Sequence, residues 1–393
     1  MKKGLFILTA IIIICTASFY AAAKYYLYSG PYVLDGCNSS DTYTLDVFYS
    51  ELDGYIKSFH DPNFTYNPED VRGHFSITPG GSTDLYGACD MVYVFWILDE
   101  LEERTTAQGR DHWANLIRSY QDPETGRFDR GNLSGESSTH ATAFATAALK
   151  LLGSSPKFPH TWAKDIFSTP EQVDAWLDSF SWDQVWTGSH EAGAAAAVID
   201  APDGLSLPGN WDEMVLSNFT RSVDPRTGFW KNGILDPVLR EPTTVDLGGA
   251  AHFWWIYDHL GESIPYPEKV IPGILELQRD TGLWGARVFN GAFPQGIDFD
   301  AVNGMRIAWK SVSPQFRKEH RNDIINALDR YACAARYHLD HEGALEKYHK
   351  VHKIVGTLNT IAEVNLLYRE LTGEDRILTK KRWRSALTTV CWQ

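Results

Sequence analysis

Apolar residues fall along the chain in two alternating patterns. In one they recur at i, i+3, i+4 with charges between, as in Trp113, Leu116, Ile117 and Tyr120, or Ile324, Ile325, Leu328 and Tyr331. That spacing predicts amphipathic helices over 46–59, 112–120, 170–180, 211–222, 266–278 and 321–339. In the other pattern a short polar opening leads into a stretch that is apolar or small on every side. Six such stretches cover 85–101, 141–152, 192–199, 247–260, 301–312 and 361–371. A helix that is hydrophobic all round must be surrounded by protein. The openings, near 84, 138, 189, 246, 298 and 358, recur every 51 to 60 residues, so the pair is a repeat. Six amphipathic helices around six buried ones predict an all-α fold, an (α/α)6 toroid in one domain over 46–393. An open solenoid is the alternative, but its polar capping repeats are missing from the pattern.

A turn follows several amphipathic helices: Gln121-Asp122-Pro123-Glu124-Thr125-Gly126-Arg127-Phe128, Asp224-Pro225-Arg226-Thr227-Gly228-Phe229-Trp230 and Gln278-Arg279-Asp280-Thr281-Gly282-Leu283-Trp284. Glycine suits a left-handed position there, and the aromatic can pack the turn back onto its helix. This Gln-x-Gly-x-aromatic turn resembles that of terpenoid-cyclase and protein-prenyltransferase toroids. It is also similar to turns in toroidal glycoside hydrolases and polysaccharide lyases. The resemblance covers three turns of six and implies a fold before it implies a chemistry.

Lys2 and Lys3 precede an apolar run from Leu5 to Ala23, with Ala21-Ala22-Ala23 at its end. The run reads as a signal peptide or as a retained membrane anchor, with 24–45 as an N-terminal extension. Either reading places the domain outside the membrane, secreted, periplasmic or anchored. An exported chain permits disulfides among Cys37, Cys89, Cys333 and Cys391; Cys37 and Cys391 are placed to staple the two ends. Sequons at Asn38, Asn63, Asn132 and Asn218 are candidate glycosylation sites.

Among 393 residues, 50 acidic against 36 basic give a net charge of −14, which argues against nucleic acid as a partner. The 14 Trp, 18 Tyr and 19 Phe need a large core or a ligand-lining role. Phosphate-loop, serine-hydrolase and zinc-protease motifs are missing, and no cofactor is implied. His338-x-x-His341 and His349-x-x-His352 have a metal-compatible spacing, but neighbouring lysines suggest a solvated face, so no metal is expected.

In a toroid the openings of the buried helices converge on one mouth of the cavity. His140, His190, Asp84, Asp298 and Asp300 are therefore the candidate catalytic residues, and Trp255, Trp230, Asp246 and Glu191 the candidate substrate contacts. Asp and Ser at helix starts also serve as N-caps, which competes with this reading for Asp84 and Asp246. Asp90, six residues beyond Asp84, is expected to point elsewhere. Two carboxyls across a cavity suit glycoside hydrolysis, and a histidine suits β-elimination from a uronate. Asp298-Phe299-Asp300-Ala301 is similar to part of the Asp-rich motif of class II terpene cyclases, with Ala301 where that family has a further Asp. Export and tryptophan content favour a carbohydrate-active enzyme, hydrolase or lyase, on a glycan or other small substrate. A terpenoid-cyclase-like or lipid-binding toroid and a non-catalytic binding module are the alternatives.

Overall fold

The computed structural model describes residues 42–129, 137–180, 185–201, 206–230, 242–285 and 293–393. Twelve helices of eight residues or more run through them, with no strand among the described residues. They are α1 (Asp46–Ser58), α2 (Leu85–Ile97), α3 (Ala107–Arg118), α4 (Ser138–Leu151), α5 (Pro170–Asp178) and α6 (Gly193–Asp200). Then follow α7 (Trp211–Ser222), α8 (Thr244–His259), α9 (Pro267–Leu277), α10 (Gly296–Ser311), α11 (Pro314–Leu339) and α12 (Val351–Thr372).

Local chemistry sets most starts. Asp84 caps α2, Ser137 caps α4, and Thr169 and Ser313 each cap a helix whose first residue is proline. Thr243 and Asp246 form a reciprocal capping box on α8. Odd-numbered helices bury one face, for example Phe48, Leu52 and Ile56 on α1. Even-numbered helices are buried nearly all round: on α2 every residue from Leu85 to Phe95 is buried.

The even helices pack in a cycle. α2 touches α4, α4 touches α6, α6 touches α8, α8 touches α10, α10 touches α12, and α12 returns to α2. The glycine turns fasten successive odd-numbered units. Gly126, Gly228 and Gly282 all have positive φ. A Cβ on Gly126 would lie 2.2 Å from the Pro159 carbonyl oxygen, and one on Gly282 would lie 2.4 Å from that of Arg330. Glycine is required there by both φ and the neighbouring chain. The Trp284 indole N–H donates to the Ile274 carbonyl at 2.8 Å, so the aromatic packs back on its own helix.

The segment after α12 turns inward. Trp383, Ala386, Val390, Cys391 and Trp392 are buried. Arg384 N–H donates to Ile97 O at 2.9 Å, and the Tyr93 hydroxyl donates to Trp392 O at 2.8 Å. Cys391 N–H donates to Asp200 at 2.7 Å. The tail thus fills space between the even helices; each large apolar side chain buried there contributes about 2–3 kcal/mol.

Some sequence expectations change. α10, α11 and α12 begin at Gly296, Pro314 and Val351, five to ten residues before the expected 301, 321 and 361, because polar first turns hid them. The third buried helix is broken: a short turn Val185–Ser189 and a tight turn His190–Ala192 precede α6. The Cys37–Cys391 staple does not form, since Cys391 is a free, buried thiol like Cys89; Cys333 is the one in a disulfide. Residues 1–23, Cys37, Asn38 and Asn132 lie outside the described residues. No helix among the described residues is long and apolar enough to cross a membrane.

Candidate active site

The even-helix openings and the tail enclose a cavity of about 240 Å³. Its wall carries four imidazoles, His140, His190, His252 and His352, together with Asp300 and Trp255. His140 sits in the first turn of α4 and His190 in the tight turn before α6. His252 lies midway along α8, and His352 opens α12. The rings form a chain, with His140 and His190 centroids 4.7 Å apart and His190 and His252 5.1 Å apart. The Trp392 ring backs them, stacked 4.8 Å from His252 and 5.6 Å from His140.

Three of the imidazoles have a partner that fixes the ring. The Tyr86 hydroxyl lies 2.8 Å from His140 Nδ1. Asp90, fully buried on α2, lies 2.8 Å from His352 Nδ1. Ser189 Oγ lies 2.6 Å from His252 Nδ1, and its own hydroxyl donates to Trp186 O at 2.9 Å. Having spent its proton there, Ser189 accepts from His252 Nδ1–H, which leaves Nε2 as the basic nitrogen. Burial, reinforced by His190 and His140, holds His252 well below the ordinary histidine range and therefore neutral.

Asp300 differs from all of these. It is buried on the cavity wall and makes no hydrogen bond among the described residues. Burial first, and Asp298 second, push its carboxyl well above the usual range, so it holds a proton near neutrality. The Trp255 indole N–H, also on the wall, has no protein acceptor. Buried polar groups are almost always satisfied, so two unpartnered ones on one cavity point to a ligand.

Of the residues singled out from sequence, His140, His190, Asp300 and Trp255 meet at this cavity. The others do not line it. Asp84 accepts from Ile77 N at 2.7 Å and Gly87 N at 2.8 Å, and Asp246 is spent on Thr243. Asp298 accepts from Trp284 N at 2.8 Å and Gln295 N at 2.9 Å, yet burial outweighs those bonds and raises it to about 6. Glu191 accepts from the Thr139 hydroxyl at 2.8 Å. Trp230 is fully buried with its N–H on Phe219 O at 2.9 Å, so it packs a turn and offers no face to a ligand. Asn218 is buried on α7 with its amide on Met214 O, which closes that sequon to a glycan; Asn63 is exposed.

Sequence reasoning missed His252, His352, Asp90 and Trp392. The first and third are lone polar residues inside all-apolar helices, and that anomaly is the signal the sequence offers. His352 reads from its lysine neighbours as part of the same solvated face as His349; the earlier start of α12 carries it to the cavity wall. No group of three or more His, Cys, Asp or Glu arranged to hold a metal occurs among the described residues. A larger groove of about 560 Å³ lies elsewhere, but its one histidine, His160, has both ring nitrogens engaged, by Gly126 O and Thr146.

No family model matches the chain, and no curated protein or solved structure matches it.

Proposed function

We propose that the closed cycle of even helices, clasped by the odd ones, is an (α/α)6 toroid that is exported through residues 1–23 and cleaves a glycan in its central cavity. The observation that carries this reading is Asp300. It is a protonated carboxyl with no internal partner, on a wall shared with four imidazoles and an indole. Cleaving a glycosidic bond needs a proton for the leaving oxygen, and Asp300 supplies it. The bond also needs a base on another side of the sugar. His190 and His140 are adjacent candidates, and His352, held by Asp90, is a third. Trp255 supplies an aromatic face and an N–H for a hydroxyl-rich ring.

A non-catalytic module would consume its polar openings as caps. Asp84, Asp246 and Asp298 are consumed that way, whereas Asp300 is not. A terpenoid-type cyclisation gains support from one observation: Asp300 stands at the second Asp of the motif that Asp298-Phe299-Asp300-Ala301 resembles. Against it, a carbocation formed beside four imidazoles would lose a proton to the nearest basic nitrogen before it could cyclise.

The test is a panel of neutral and acidic polysaccharides assayed for new reducing ends, with Asp300→Asn alongside. Cleavage by the natural protein that Asp300→Asn lowers about 100-fold or more supports the reading. Full activity in Asp300→Asn, or no cleavage of any member of the panel, overturns it.

A further inference from the structure

One end of the cavity is built for negative charge. The first turns of α10 and α12 meet there: a Cβ on Gly356 would lie 2.7 Å from both the Cα and the N of Gly296, so the two helices touch without side chains between them. Gln295, Gly296, His352, Lys353 and Gly356 all belong to the cavity wall. Lys350 caps α12 without a side-chain hydrogen bond, so the first turn of that helix keeps N–H groups unserved by a cap. Those groups and the helix dipole favour an anion. Lys353 adds a full positive charge on a half-buried side chain in the same turn. The second observation is independent of the helix ends. Asp300, six per cent exposed and unpartnered, lines the same small space with its proton retained, and the Trp255 N–H beside it lacks an acceptor. These are hydrogen-bond donors without acceptors.

We infer that this end of the cavity binds the anionic group of an acidic sugar, a carboxylate or a sulfate ester, with Lys353 and the first turn of α12 as its contacts. The inference rests on the glycan reading above and names its substrate class. For a carboxylate it also selects the reaction. Holding the carboxylate against Lys353 acidifies the C–H on the carbon next to it. An imidazole, with His352 the nearest in sequence to the anion contacts, takes that proton. The electron pair left behind forms a double bond to the adjacent ring carbon as that carbon's bond to the glycosidic oxygen breaks. The departing oxygen takes the proton of Asp300. No water is consumed, and the products are one unsaturated uronate end and one ordinary reducing end. Asp300 recovers its proton from the imidazolium.

The test uses the whole protein, with glucuronate, a sulfated glucose and unmodified glucose as probes for calorimetric binding. A uronate-rich and a neutral polysaccharide serve as substrates. Lys353→Gln should fold normally, because the side chain is half exposed. The expected result is binding of glucuronate or sulfated glucose over glucose, lowered about tenfold in Lys353→Gln. The acidic polymer should be cut, with the ultraviolet absorbance of a conjugated uronate when carboxylate is the anion. Preference for the sulfated sugar without that absorbance keeps the anion site and removes the elimination. Equal binding of glucose and glucuronate, or wild-type binding in Lys353→Gln, overturns the anion site. Cleavage of neutral polymers alone has the same meaning and leaves the glycan reading intact. Failure of every polymer to be cut overturns both.

Discussion

Glu363 on α12 and Asp300 on α10 are carboxyl groups sealed inside the same cycle of helices, yet their surroundings are built in opposite ways. Glu363 is fully buried and saturated. It accepts from Asn303 Nδ2 at 2.9 Å, from both the Nε and an Nη of Arg306, and from the Ser385 hydroxyl of the inward-turning tail. Asp258 extends the network, 3.8 Å from Arg306 and paired with Lys310 at the surface. Asp300 receives no hydrogen bond among the described residues and answers its burial by keeping its proton. A saturated buried charge specifies how helices fit together, and its loss strands the opposite charge. An unsaturated one contributes nothing to the fold and is retained for something outside the fold.

The contrast can be broken from either side. Glu363→Ala should destabilise the protein by about 3–5 kcal/mol, read from denaturant unfolding, because Arg306 is left buried without its partner. A change below about 1 kcal/mol would mean that Arg306 reaches another acceptor. The two cavity-side aspartates give the next effect, through pH. Burial raises Asp298 from 3.8 to about 6 and Asp300 further, so the folded protein keeps protons that the unfolded chain releases near pH 4. Their contribution to stability is therefore largest at low pH and declines as pH rises from about 4 through 6. Each proton is worth about 1.4 kcal/mol per pH unit. The double variant Asp298→Asn, Asp300→Asn should flatten the curve across that window, and an unchanged slope would refute the assignment. Asp300→Asn alone should change stability at pH 7 by less than about 1 kcal/mol, since an amide replaces a neutral carboxyl of the same shape. Glycan cleavage should nevertheless fall by about 100-fold. The smallest effect belongs to the network's wet edge: Lys310→Ala should stay within about 0.5 kcal/mol, because an exposed ion pair is screened.

The repeat was legible in the sequence because burial on every side leaves a distinctive apolar helix, and six of them at regular intervals mark a repeating unit whatever its final curvature. The glycine turns were legible for the same reason, since φ and close approach demand one residue type. The site was half legible. His140, His190, Asp300 and Trp255 stood out because a histidine or a paired aspartate at a helix opening is not ordinary capping. Asp84, Asp246 and Asp298 stood out equally well and are caps, because a cap and a catalytic carboxylate share one sequence signature. Spacing alone turns Asp90 to another side of α2, and spacing does not reveal that α12 lies against that side. Trp392 belongs to a segment with no periodicity, and nothing local marks a tail that will be drawn inside.

The contact between Asp90 and His352 joins residues 262 positions apart, across the seam where the last even helix returns to the first. It cannot exist in any partly assembled chain, however native its separate helix pairs. Until the seam shuts, the flanks of α2 and α12 are bare apolar surface, and closing so long a loop is slow. The wall of the cavity is therefore finished in the same event that removes the most adhesive surface from solvent. Should His352 take part in the chemistry, turnover itself would report that the circle has closed, and incomplete molecules would be silent as well as sticky.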